Sequence, residues 1–107
     1  MKAAVDLFRL LAEPVRCQLY ERLASEGELN VAALTRNSGI SQPAVSQHLA
    51  ALKIGGLIES RPAGRSTFYS VHPEGLVPVR EWMRRYTTFW NDRFDALEAY
   101  LDREEQP

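Results

Sequence analysis

At 107 residues with 45% hydrophobic content, the chain has apolar material for one core and no room for two independent domains. No apolar run approaches the roughly 20 residues of a membrane span, and the start MKAAVDLFRLLAEP lacks the basic-then-apolar layout of a secretory signal. A lone cysteine, Cys17, excludes an intrachain disulfide framework and fits a reducing cytoplasm, where the chain is expected to stay, away from membranes.

A first helix is expected over Ala3 to Leu11, with Ala4, Leu7, Phe8 and Leu11 on one side. Glu13-Pro14 stops it and restarts the chain, because proline is tolerated at the first helical position. The second helix runs from Pro14 to about Ala24. Val15, Leu19 and Leu23 recur every fourth residue along it, and Ser25-Glu26-Gly27 ends it. Both helices read as scaffold whose apolar stripes need a partner face.

The next stretch, NVAALTRNSGISQPAVSQHLAALKIGGLI, supplies that face as a helix-turn-helix over about 30–54. Asn30 can cap a helix carrying Val31 and Leu34. Asn37-Ser38-Gly39 breaks it, and Gly39 can take the left-handed conformation without a Cβ clash. Ser41 caps the following helix, and Pro43 lies in its first turn, where the missing N–H would have had no partner. Turning Val45, Leu49 and Leu52 inward leaves Gln42, Pro43, Ser46, Gln47, Ala50 and Lys53 facing out, while small Ala44 on the flank lets the helices cross closely. Such a face is polar, short and nearly uncharged. An ordinary solvated helix carries Glu and Lys, whereas Gln and Ser can hydrogen-bond base edges in a major groove.

Gly55-Gly56 then breaks the helix. Leu57-Ile58-Glu59-Ser60-Arg61 and Ser66-Thr67-Phe68-Tyr69-Ser70-Val71 are rich in β-branched and aromatic residues, with Pro62-Ala63-Gly64-Arg65 between them. This predicts a β-hairpin over about 57–71, a wing with Arg61 and Arg65 near its tip, where they can reach phosphates or a narrow minor groove. The plainer alternative is a solvated turn with incidental arginines.

His72-Pro73-Glu74-Gly75 closes the hairpin, and one helix is expected from about Leu76 to Asp102, roughly 40 Å long. Leu76, Val79, Trp82, Met83, Tyr86, Phe89, Trp90, Phe94, Leu97, Tyr100 and Leu101 fall within an arc of about 140° on it. Six of the ten aromatic residues of the chain lie on this stripe, too much for one small domain to cover. The economical partner is a second copy, with one edge of the arc on its own domain and the other, together with the first helix, on the mate. The expected interface is Leu7, Phe8, Trp82, Met83, Tyr86, Phe89, Trp90, Phe94, Leu97 and Leu101. The competing expectation is a cover helix folded wholly onto its own core.

A formal net charge of −1 is low for a nucleic-acid partner, but its distribution is uneven. From Arg36 to His72, Arg36, Lys53, Arg61 and Arg65 face only Glu59. Beyond Tyr86, Arg93 and Arg103 face Asp92, Asp95, Glu98, Asp102, Glu104 and Glu105. Phosphate contact depends on the local field, so an acidic far end is compatible with it.

Over most of residues 7–73 the chain resembles the ArsR/SmtB family of bacterial winged helix-turn-helix repressors. The match lies in Leu11-Ala12-Glu13-Pro14 ahead of Arg16, in SQPAVSQHL from Ser41 to Leu49, and in Gly56-Leu57-Ile58 ahead of the Gly64-Arg65 turn. The resemblance implies a mostly α fold with a small β-hairpin and a long C-terminal dimerisation helix, spanning 1–107 as a single domain. It implies a homodimer that binds a double-stranded DNA operator, often its own promoter, and releases it on a signal. In the family the recognition helix enters the major groove, which carries over to Ser41, Gln42, Ser46, Gln47 and His48. Wing arginines touch the backbone, here Arg61 and Arg65. Pro43 and Lys53 share the exposed face. His48 lies beside the core stripe, so the alternative for it is a packed histidine.

Metal-sensing members carry cysteines where Asn30 and Ala32 stand here, and others bind zinc through Asp and His on the last helix, which in this chain has no histidine. First-row transition metals favour imidazole or thiolate, so no metal and no cofactor is expected. Redox-sensing relatives pair two cysteines, and Cys17 is alone. Three other readings stand beside the repressor: a thiol-responsive repressor using Cys17, a winged-helix module that binds protein, and an enzyme. Against the last, there is no glycine-rich phosphate loop or nucleophile elbow. Against the protein-binding module, the SQPAVSQ face is poor in aromatic and aliphatic side chains.

Overall fold

The computed structural model describes residues 2–105, so the outermost positions of the expected 1–107 domain lie outside the described residues. The elements are α1 (Lys2–Ala12), α2 (Pro14–Glu26), β1 (Leu29–Asn30), α3 (Val31–Thr35), α4 (Gln42–Ile54), β2 (Ile58–Ala63), β3 (Ser66–Val71), a 3-10 turn (Pro73–Leu76), α5 (Val77–Arg84) and α6 (Thr87–Glu105). The fold is a winged helix-turn-helix. Leu7 of α1, Leu19 and Leu23 of α2, Leu34 of α3 and Val45, Leu49 and Leu52 of α4 meet in one core, closed below by Leu57 and Ile58. Burying each such side chain contributes roughly 1.5–3 kcal/mol, so the scaffold helices and the helix-turn-helix stabilise one another.

The hairpin forms at the expected place, with β2 and β3 antiparallel from Ile58↔Val71 to Ala63↔Ser66. Its two-residue loop is Gly64-Arg65, and Gly64 takes φ 63°, the sign that a type II′ turn needs at its first central position. A third strand was not expected. β1 pairs antiparallel with β3 through Leu29↔Tyr69 and Asn30↔Phe68, giving the order β1-β3-β2 and tying the wing to the segment that begins α3. Pro62 sits on β2, an edge strand, where its missing N–H does not break a ladder.

The C-terminal segment departs from expectation. The single helix expected over Leu76–Asp102 is divided at Arg85-Tyr86 into α5 and α6. No proline or glycine stands at the break, Pro78 lying in the first turn of α5. Instead the Met83 carbonyl accepts the Tyr86 N–H at 3.0 Å, a tightened turn, and also the Thr87 hydroxyl at 3.3 Å. A threonine bonding back to the preceding turn competes with the helical ladder and bends it.

α5 packs on its own domain. Its Trp82 meets Phe8 of α1 edge-on, ring centroids 5.5 Å apart, and Val79 and Leu76 lie against the core. α6 buries no residue. The molecule is 63 Å in its longest dimension, and its radius of gyration of 18.4 Å exceeds the roughly 13 Å of a compact chain this long. The cover-helix alternative is therefore not what the fold adopts. One interface expectation is also corrected: Leu7 is 5% exposed because it faces α2 and the core, and it is not available to a partner.

Candidate nucleic-acid interface

The helix-turn-helix is built as its caps dictate. The Asn30 side chain accepts the Ala33 N–H at 2.9 Å to start α3, and Ser41 Oγ accepts the Ala44 N–H at 3.3 Å to start α4, with Pro43 in the first turn. Between them the turn needs two left-handed residues, Asn37 at φ 63° and Gly39 at φ 79°. Ser38 fastens it, donating to the Thr35 carbonyl at 2.7 Å and accepting the Ile40 N–H at 3.2 Å.

Val45, Leu49 and Leu52 are fully buried, and this fixes the rotation of α4 about its axis. Ser41, Gln42, Pro43, Ser46, Gln47, Ala50 and Lys53 consequently face solvent. Of these, Gln42 lines a groove with Asn30, Ala32, Thr67, Tyr69 and Arg65 of the wing turn, so the start of α4 and the wing tip open to a common side. Arg65 is exposed and forms no ion pair among the described residues. A row of neutral donors and acceptors beside a free guanidinium can bond base edges and phosphates together.

Two expected contacts are placed differently. His48 is half-buried and turned toward the α1–α2 corner, its Nδ1 3.7 Å from a Glu13 carboxylate oxygen. The same Glu13 carboxylate accepts the Arg16 N–H at 2.8 Å and caps α2. Arg61 sits within β2 opposite Phe68, and its guanidinium is held by Glu28. Hydrogen bonding to Arg61 holds the Glu28 carboxyl below its ordinary range and raises Arg61 in turn.

Arg22 is a contributor that the pattern of residues did not reveal. From α2 its Nη1 donates to the carbonyls of Ala33, Leu34 and Arg36 at 3.2–3.3 Å, satisfying the open end of α3 just before the turn. Its Nε is anchored by Glu26 at 2.8 Å. Cys17 lies 3.6 Å from a Glu21 carboxylate oxygen, and desolvation together with that charge raises its pKa, which disfavours the reactive thiolate. Among the described residues no three His, Cys, Asp or Glu side chains converge as metal ligands, and no helix is long and apolar enough to cross a membrane.

A capped second helix with a polar, nearly uncharged outer face, followed at once by a two-stranded wing, defines a winged helix-turn-helix transcriptional regulator. A family model described as a helix-turn-helix domain matches residues 11–61. The HTH-type transcriptional regulator Rv2034 of Mycobacterium tuberculosis is 38% identical over 97 residues, which span 91% of this chain and 87% of that protein. The arsenic resistance transcriptional regulator ArsR1 of Pseudomonas putida is 38% identical over 77 residues, 72% of this chain but only 57% of that relative's length. A solved structure described as a possible transcriptional regulator for arsenical resistance superposes with a TM-score of 0.69 at 36% identity, covering 88% of this chain and 94% of that one. The chain belongs to the ArsR/SmtB family of winged helix-turn-helix regulators.

Proposed function

We propose that the protein is a homodimeric repressor that reads a specific operator, its own promoter among the targets, by binding and not by catalysis, with no metal in the sensing step. The observation that carries this reading is the pairing of two unpartnered surfaces. One is the neutral polar face of Gln42, Ser46 and Gln47 beside Arg65, whose chemistry suits a major groove flanked by phosphates. The other is α6, where Phe89, Trp90, Phe94, Leu97 and Leu101 are each 45–61% exposed. An apolar row of that extent needs cover, and a second copy covers it symmetrically while placing two recognition helices on one assembly. Phe8, Trp82, Met83 and Tyr86 continue the row toward α1.

Titration onto the DNA upstream of its own gene at several salt concentrations tests the reading. The protein is expected to prefer that sequence over random duplex and to lose affinity steeply as salt rises. Equal, salt-insensitive binding to both would point to a protein partner instead.

A further inference from the structure

Arg61 and Glu28 stand 33 positions apart, yet they form a two-pronged ion pair: Nε donates to Oε2 at 3.1 Å and Nη2 to Oε1 at 2.6 Å. The guanidinium also lies 5.3 Å from the centre of the Phe68 ring. Because β3 is the middle strand, this side chain leaves β2, crosses β3 over Phe68, and ends on the residue just before β1. β1 is two residues long, and its last residue, Asn30, is the cap of α3. The wing is thus joined to the entry of the helix-turn-helix by two register pairs, by contact of β3 with α3, and by this bridge.

Strand alternation decides which way Arg61 looks. Ile58 and its partner Val71 turn to the core side, as does Tyr69, and Thr67 follows on that side to line the groove beside Gln42. Arg61 and its partner Phe68 occupy the opposite face. Arg65, in the turn, belongs to the groove. The two wing arginines therefore have different surroundings: one is free beside the recognition helix, the other is committed behind it.

We infer that Arg61 is a positioning residue and not a phosphate contact: through Glu28 it braces the wing against the segment that starts the helix-turn-helix, so that Arg65 meets DNA at a set distance from α4. The fork geometry is essential to such a brace. A guanidinium satisfies both carboxylate oxygens in one plane, and an ammonium cannot.

This inference rests on the DNA-binding reading for its consequence but not for its first test. Amide hydrogen exchange of the free protein is expected to quicken at Leu29, Asn30 and along β3 in both Arg61→Lys and Glu28→Gln, and unchanged exchange would overturn the brace. On operator DNA, Arg61→Lys keeps the charge, yet affinity is expected to fall by about twofold to fivefold, the range that the free energy of a surface ion pair converts to. The slope of log affinity against log salt stays as it was, because no phosphate contact is lost. Glu28→Gln is expected to weaken binding by a similar factor although it removes negative charge from beside the wing. The exchanged pair, Glu28→Arg with Arg61→Glu, is expected to recover most of that loss. Tighter binding by Glu28→Gln, wild-type binding by Arg61→Lys, or a flatter salt slope in Arg61→Ala would each overturn the assignment and return Arg61 to the phosphates.

Discussion

Replacing Trp90 by glutamate strikes the face on which the proposed dimer depends without touching the core. Trp90 is 45% exposed, and at roughly 200–250 Å² for a full indole side chain it presents about 100 Å² to water. At about 25 cal/mol per Å² that is about 2.5 kcal/mol of burial per copy, or about 5 kcal/mol in a symmetric pair. Losing it weakens association by at least about a thousandfold, before any penalty for two carboxylates facing apolar side chains. The whole row has the right scale: from Met83 to Leu101, eight large hydrophobic side chains are 38–61% exposed, on the order of 800 Å² per copy, the share that one partner gives to a standard interface. Sedimentation velocity over a wide concentration range should show the wild type as a dimer and Trp90→Glu as a monomer. The helical circular dichroism should be largely kept, since α6 buries nothing within its own chain. Asp95→Lys, on the opposite side of the helix, serves as the control and should remain dimeric. A Trp90→Glu protein that dimerises at wild-type strength would refute the assignment of this face.

Gln47→Ala should lose roughly 1–3 kcal/mol on the operator and little on random duplex in fluorescence anisotropy titrations, and equal loss on both would mean that Gln47 reads no base. Arg65→Ala should weaken both alike and flatten the salt slope by about 0.9 for each phosphate contact removed, whereas an unchanged slope would take Arg65 off the backbone. Arg22→Ala strips the guanidinium from three carbonyls at the end of α3 and should reduce stability by about 1–3 kcal/mol in urea denaturation, where an unmoved midpoint would show that water serves those carbonyls as well. Because burial and Glu21 raise the Cys17 pKa, the thiolate fraction at neutral pH is smaller than in a free cysteine. Alkylation should therefore be slow near pH 7, rise only at more alkaline pH, and quicken in Glu21→Gln; reaction at the rate of a free thiol would reopen a redox role.

What the sequence discloses here is whatever repeats or sits at a fixed local offset. The cap at Ser41, the proline two residues on, and the buried Val45, Leu49 and Leu52 are read from neighbours along the chain, and they determine both the helix and the face it exposes. The bend between α5 and α6 escapes the same reasoning, because the apolar period runs straight through it. The bonds found there, the Tyr86 N–H and the Thr87 hydroxyl both on the Met83 carbonyl, leave no mark in hydrophobicity. β1 is too short to show alternation and acquires its identity only by lying beside β3. Arg22 and Glu28 were hidden for a related reason: each acts on groups brought near by the crossing of elements, the end of α3 for one and the far side of the sheet for the other. His48 is open to two readings because its angle on α4 falls at the margin of the core, and its neighbour Glu13, supplied by the α1–α2 corner, could not be read from the period of α4.

In the proposed dimer, two copies joined through their last helices present Gln42, Ser46 and Gln47 to neighbouring major grooves on one side of a duplex. Affinity for operators in which the spacing of the half-sites is lengthened by about half a helical turn, and then by a full turn of about 10.5 base pairs, tests it directly. Binding should collapse toward the non-specific level at the half turn, where the second half-site rotates to the far side. An affinity indifferent to that rotation would contradict the account.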